Sequence, residues 1–255
     1  MARKRDSVVW LEPEEHVYIH KFTNEKFKSV TGVLSMLEPE FDSEQVALAI
    51  SMQDPSKKKE QYQNMSHQEI LDEWKRINDE ANEYGTQIHE IMERYLLADK
   101  IYIPQDDYER ELISKFQEID PMTVGTIYPE TILFSEKHKL AGTADIIEDC
   151  GDYFNVWDWK TNKAFRFISE YNHWLNPPVS HLSDCQYNVY ALQLSIYAYM
   201  FQMETKKKVG RLGIFYYEKG SGFKLIPLPY MGLEAKAVLD HWVKQRPTIL
   251  ETNKI

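Results

Sequence analysis

The period of the apolar positions changes along the chain, and each change marks an element. In HVYIHKFTNEKFKSVT two extended runs flank Thr23-Asn24-Glu25, so residues 1 to 31 read as a short β region. Ser29 and Thr31 stand just ahead of the apolar Val33-Leu34-Met36-Leu37, as a helix N-cap or as a phosphate clamp at the same helix end. A short helix is expected from Ser43 to Ile50, and the polar stretch SMQDPSKKKEQYQNMS then reads as a loop. From Ser66 to Leu97, Ile70, Trp74, Ile77, Ala81, Tyr84, Ile88, Ile91 and Tyr95 recur at spacings of three and four. That period predicts one long amphipathic helix, or two in line with a break at Gly85. Another helix is expected over Asp107 to Glu118, started by Asp106 or Asp107 and ended by Asp120-Pro121.

The chain then turns to strands. Val124 to Phe134, Lys139 to Glu148 and Tyr153 to Lys160 are joined by short polar turns and predict a meander. After it comes the aperiodic, aromatic segment TNKAFRFISEYNHWLNPPVSHLSD, then a helix over Cys185 to Met203. Strands from Gly210 to Glu218 and Phe223 to Leu228 follow, and a helix from Leu233 to about Gln245. This order predicts an α/β fold, a mixed central sheet flanked by helices. It is expected as a single domain over 1–255, with 1–121 a mainly helical part and 122–255 the core.

Each strand of the meander carries an acid: Glu130, Asp145 and Asp158. Alternation in YFNVWDWK puts Asp158 and Lys160 on one face and Trp157 and Trp159 on the other. A turn at Cys150-Gly151-Asp152 folds LAGTADII back on this strand, so two carboxylates and an ammonium share one space. That is a divalent-metal site in outline, with the Trp159 carbonyl between the two functional side chains. An exposed Asp-X-Lys ion pair has the same local pattern. Gly85, His89 and Glu93 form one i+4 row, where a histidine is either packed or a ligand. Gln193 with Tyr197, and Gln186 with Tyr190, are both spaced to project into one cleft. Phe165, Phe167, Tyr171 and Trp174, interleaved with Lys163 and Arg166, read either as a base-stacking platform or as cover for a core edge.

Composition narrows the classes. With 255 residues, 43% hydrophobic and 27% charged, the chain can bury a proper core. It has no run of eighteen apolar residues, and MARKRDSVVWLEPEE lacks the apolar region of a secretory signal, so a soluble, intracellular protein without membrane partners is expected. Two cysteines, Cys150 and Cys185, exclude a disulfide framework and an iron-sulfur cluster ligated by four thiolates. A net charge of −10 argues against a general nucleic-acid coat protein but not against a nuclease, whose site itself needs carboxylates. Basic runs at Arg3 to Arg5, Lys57 to Lys59, Lys160 to Arg166 and Lys206 to Arg211 could line a local groove or be solvated surface.

The ordered string GTQIH, Glu130, GTAD, DWKT and QLSIY resembles the PD-(D/E)XK nuclease superfamily, and within it the RecB-like branch with its helical GxxxH, Glu, GxxD, DxK and QxxxY. SVT, GTQIHEIME and VWDWKTNK are most similar to the mitochondrial genome maintenance exonuclease family and its phage-encoded relatives, over roughly residues 27 to 245. The resemblance implies a restriction-endonuclease-like core. It implies Mg²⁺ or Mn²⁺ held by His89, Asp145, Asp158 and the Trp159 carbonyl, and catalysis by Lys160 with Glu130 in support. It selects Gln193 and Tyr197 over the earlier pair for positioning Lys160 or the DNA strand. Ser29, Thr31, Glu93, Thr161, Lys163, Arg166 and Tyr197 become DNA contacts. The implied activity is exonucleolytic hydrolysis of DNA, single-stranded or with free ends, in replication, recombination or repair, with phage-encoded action in a host cytoplasm among the settings. A structure-specific endonuclease, or a DNA-binding or assembly protein without turnover, are the alternatives. The iron-sulfur cysteines and the Walker-type helicase motifs of other members are missing.

Overall fold

The structure is a computed structural model and describes residues 8–12, 17–98, 101–122 and 125–252, which leaves Arg3 to Arg5 and Val124 outside it. The chain divides into two units, Met1–Pro39 with His89–Ile255, and Glu40–Ile88.

In the smaller unit, α2 (Ser43–Ser51) starts where Asp42 accepts the Gln45 amide at 2.9 Å. Two 3₁₀ turns, Pro55–Lys57 and Glu60–Tyr62, occupy the stretch that reads as a loop in sequence. α3 (His67–Leu97), which belongs to this unit up to Ile88 and to the larger one from His89, runs through Gly85 without a break. One glycine costs a helix about 1 kcal/mol, too little to interrupt so long an amphipathic element. Trp74 anchors this unit: its Nε1 donates to the Tyr62 hydroxyl at 2.9 Å, and its ring meets Phe41 at 6.1 Å.

Among the described residues the larger unit is built on eight strands: β1 (Val9–Glu12), β2 (Val17–His20), β3 (Lys26–Ser29), β4 (Thr126–Ser135), β5 (Leu140–Asp149), β6 (Tyr153–Lys160), β7 (Lys208–Glu218) and β8 (Gly222–Leu228). They form one mixed sheet in the order β1-β2-β3-β5-β6-β7-β8, with β4 on β5. The pairings β3 to β5 and β6 to β7 are parallel and the others antiparallel. The meander is therefore present, and the first three strands bring sheet into the part that sequence reads as mainly helical.

Pairing along β5 shapes the functional end. β4 covers one edge of β5 from Leu140 to Asp149. The other edge pairs with β3 only at Leu140 and Ala141 and with β6 only from Ile146 onward. Gly142 to Asp145 are thus left open between two strands that diverge from β5.

Helices cover both faces. α1 (Val30–Leu34), α5 (Gln186–Thr205) and α6 (Gly232–Thr252) contribute to one large core with Phe154 and Val156 of β6. On the opposite face Phe116 of α4 (Asp107–Gln117) packs edge-on to Trp159 at 4.9 Å and to Phe215 at 5.0 Å. α4 begins at Asp106, which accepts the Glu109 amide at 2.8 Å. Glu109 in turn takes Arg94 Nη2 at 2.5 Å and the Tyr102 hydroxyl at 2.9 Å, tying the last turns of α3 to α4. No helix among the described residues is long and apolar enough to cross a membrane.

Candidate active site

Alternation in β6 sends Trp157 and Trp159 to the α4 face, and therefore sends Asp158 and Lys160 toward α5. Asp145 belongs to that second face as well, because Ile147 and Val156 are cross-strand partners and Asp145 and Asp158 lie two residues beyond each. The two strands have splayed at this point. The Trp159 amide, which the β5 ladder no longer reaches, donates to Asp145 Oδ2 at 2.8 Å. In an extended strand the N–H and C=O of one residue point to the same edge, so the Trp159 carbonyl also faces the opening.

His89 of α3 places Nδ1 3.4 Å from Asp145 Oδ2. Glu130 joins them: one ligand atom from each of His89, Glu130 and Asp145 lies within 4.8 Å of the others. Glu130 sits opposite Asp145 between the pairs Pro129–Ile146 and Thr131–Ala144, with φ at +46°. A non-glycine residue there is strained by about 1–2 kcal/mol, and such strain collects at functional sites. Glu130, which the sequence pattern casts in support, therefore stands in the same cluster as His89 and Asp145. Glu93, one turn further along α3, is outside that cluster, as is Asp158.

Asp158 instead engages Lys160, with Oδ2 2.5 Å from Nζ. Its side chain is 3% exposed and that of Lys160 20%, so the surface ion-pair reading of Asp-X-Lys fails. Burial, with the charge of Asp145, pushes the Asp158 carboxyl up to about 6 against the pull of Lys160. Burial draws the Lys160 ammonium down, yet Asp158 and Asp145 outweigh it and hold its pKa above the usual lysine value. The contact is close but poorly directed, and Asp158 Oδ2 has no well-formed hydrogen bond.

α5 closes the site from above. Gln193 Nε2 donates to the Tyr197 hydroxyl at 3.3 Å, and both residues are buried. Burial pushes the Tyr197 phenol well above its ordinary value. A Cβ on Gly142 would stand 2.6 Å from Tyr197 Cε1, so the glycine of GTAD is what lets this ring lie against β5. Tyr190 is present too. Its ring lies 4.9 Å from Lys160 Nζ, a cation–π contact, so the two candidate pairs on α5 are not exclusive. Gln186 is committed elsewhere and accepts the Arg166 amide at 3.2 Å.

Of the remaining candidates, Ser29 is the N-cap of α1, accepting the Gly32 amide at 3.0 Å, and Thr31 donates to Ser29 Oγ at 3.4 Å. Both adjoin β5 through the pair Ser29–Ala141. Thr161 is half-buried and Lys163 exposed, while Arg166 is bound by Glu170 at 2.6 Å. Tyr18 is a residue that no sequence signal marks: its hydroxyl meets Thr143 Oγ1 at 2.9 Å, one residue pair from Asp145 on the same strand.

No curated protein matches the chain. A solved structure of a "Putative exonuclease" from Eubacterium rectale is similar at 13% identity and a TM-score of 0.41, over 65% of this chain and 66% of that one. The chain thus spans just under two thirds of that protein. A family model covers far more, matching residues 47–245, a span that runs from α2 into α6 and includes His89, all three strand acids and Lys160. On that match the chain belongs to the PD-(D/E)XK nuclease superfamily.

Proposed function

We propose that this nuclease hydrolyses DNA phosphodiester bonds with a divalent metal, as an exonuclease on single strands or ends in replication, recombination or repair. The observation that carries the reading is the buried Asp158–Lys160 pair at the open edge of β5, beside the cluster of His89, Glu130 and Asp145.

The donors suit a divalent cation. Three side chains from three elements converge, and Asp158 Oδ2 is a buried carboxylate oxygen without a directed hydrogen bond, a donor that suits a cation. Mg²⁺ or Mn²⁺ would be held by His89, Glu130 and Asp145, with Asp158 and the Trp159 carbonyl as further donors. When bound, the metal supplies charge stabilisation at the scissile phosphate and acidifies the attacking water.

The chain's own residues do the positioning. Trp159 N fixes the rotamer of Asp145, and Asp158 with the Tyr190 ring fixes Lys160. Held cationic, Lys160 can orient the attacking water by hydrogen bonding and offset the negative charge that grows on the phosphate. Gln193 and Tyr197 wall the site on the α5 side and exclude bulk water from it. Ser29, Thr31, Thr161, Lys163, Arg166 and Glu93 are the candidate contacts to the strand, with exposed Lys163 the most direct cation for a phosphate.

End-labelled linear and circular DNA, single- and double-stranded, incubated with Mg²⁺, Mn²⁺ or chelator, tests the proposal. Linear single strands should be degraded from an end only with metal, circles should survive, and Lys160→Ala should be inert. Cleavage in chelator, or by Lys160→Ala at the wild-type rate, overturns it, and cut circles would make the enzyme an endonuclease.

A further inference from the structure

A cavity of about 390 Å³ shares Tyr190 with the surroundings of Lys160 and is lined by Glu38, Arg166, Tyr171, His173, Asp184 and Tyr190 among others. We infer that this cavity receives a nucleobase carrying an exocyclic amino group, from the nucleotide adjoining the phosphate under attack; the inference rests on the reading of the chain as a DNA nuclease.

Position is the first argument. Tyr190 is a wall of the cavity and also lies 4.9 Å from Lys160 Nζ. A phosphate held at Lys160 therefore has the cavity nearby, across one shared ring, within reach of a neighbouring nucleotide of the same strand.

Charge decides which part of that nucleotide enters. The single guanidinium, Arg166, is neutralised by Glu170 at 2.6 Å. Glu38 and Asp184 both line the cavity and act on one another as like charges, and partial burial, with the charge of Asp184, raises the Glu38 carboxyl pKa. Such a lining repels a second phosphate and attracts hydrogen-bond donors.

The remaining surface suits a base. Tyr171 lines the cavity yet is 71% exposed, and its ring stands 6.0 Å from that of His173, so flat π-faces are offered to an incoming ring. Carboxylates accept from the N4 amine of cytosine, whereas thymine presents a carbonyl oxygen at the same place and meets lone pair with lone pair.

Binding of fluorescein-labelled oligo(dC) and oligo(dT) of equal length to the full chain, measured by anisotropy in chelator at mildly alkaline pH, reads the preference without turnover. Oligo(dC) should bind about tenfold tighter, the scale of one specific base contact. Asp184→Asn should reduce that ratio below about twofold while oligo(dT) affinity stays the same, and Glu38→Gln repeats the test if the first variant folds poorly. Tyr171→Ala should weaken both oligonucleotides together, through lost stacking. Equal affinities in the wild type, or a ratio that survives both carboxylate changes, overturn the inference. The same oligonucleotides with Mn²⁺ separate it from its parent reading. Cleavage without base preference overturns the cavity and leaves the nuclease; preference without cleavage does the reverse.

Discussion

Asp145 Oδ2 accepts the Trp159 amide at 2.8 Å and lies 3.4 Å from His89 Nδ1, so one carboxylate both closes the gap between β5 and β6 and joins the cluster of His89 and Glu130. The strand opening and the site are therefore one feature. Where β6 leaves β5, a backbone donor would be orphaned, and the side chain that satisfies it is thereby aimed.

Asp145→Ala and Asp145→Asn separate those two duties. Alanine leaves the buried Trp159 amide without an acceptor, which should cost about 1–3 kcal/mol in urea unfolding. Asparagine restores an acceptor and should recover most of that stability, while both variants lose cleavage because the carboxylate charge is gone. Equal stability of the two variants would show that the amide finds another partner.

Removing Asp158 alone takes away the carboxylate in contact with Lys160 in a largely buried setting and leaves Asp145 as the remaining counter-charge. Asp158→Ala should destabilise the protein by about 3 kcal/mol, and the double variant Asp158→Ala with Lys160→Met should recover most of it, since a buried pair replaced as a unit is often neutral. Both should be inactive. Chemical denaturation of the set decides it, and a double variant no more stable than the single one counts against a mutually compensating pair.

Periodicity is enough to place α3, since its apolar stripe persists over many turns, and polar turns are enough to place the meander of β4, β5 and β6. The parallel pairing of β3 with β5 has no such signal, because the contact of Lys28 with Leu140 joins distant segments and leaves no local pattern. Tyr18 at Thr143 is hidden for the same reason. Ordered motifs single out the candidate site residues, but the physical character of the site does not follow from them. Asp-X-Lys reads the same exposed or buried, and only the cover given by β7 and α5 makes Asp158 a raised, buried acid. Tyr190 and Tyr197 share one helical spacing, so proximity to Lys160 is decided by where α5 sits on the sheet. Nothing in Pro129-Glu130-Thr131 announces a left-handed residue.

His138, away from the site, should give the fold a pH dependence. Its Nδ1 lies 2.7 Å from Ser135 Oγ and its carbonyl accepts Trp242 Nε1 at 2.9 Å. Burial, aided by Lys137 and only partly opposed by Asp240, depresses its pKa below the ordinary value. The unfolded chain then binds the proton more readily, so this contribution to stability is present above about pH 6.5 and is lost as pH falls through the depressed pKa. Unfolding free energies taken from neutral to mildly acidic pH should fall more steeply for the wild type than for His138→Gln. Parallel slopes would mean that another group carries the dependence.

Glu130 holds φ at +46° in a strand, a conformation that glycine adopts freely and alanine does not. Glu130→Gly should therefore be more stable than Glu130→Ala by about 1 kcal/mol, although glycine ordinarily weakens a strand. If the strain is kept in order to aim the carboxylate at His89 and Asp145, both variants should also lose the stabilisation that Mn²⁺ gives the wild type. That stabilisation is about 2.7 kcal/mol at a hundredfold excess over Kd. Thermal unfolding with and without Mn²⁺ reads both effects in one experiment. Glycine no better than alanine would remove the strain, and an undiminished Mn²⁺ shift in both variants would take Glu130 out of the metal site.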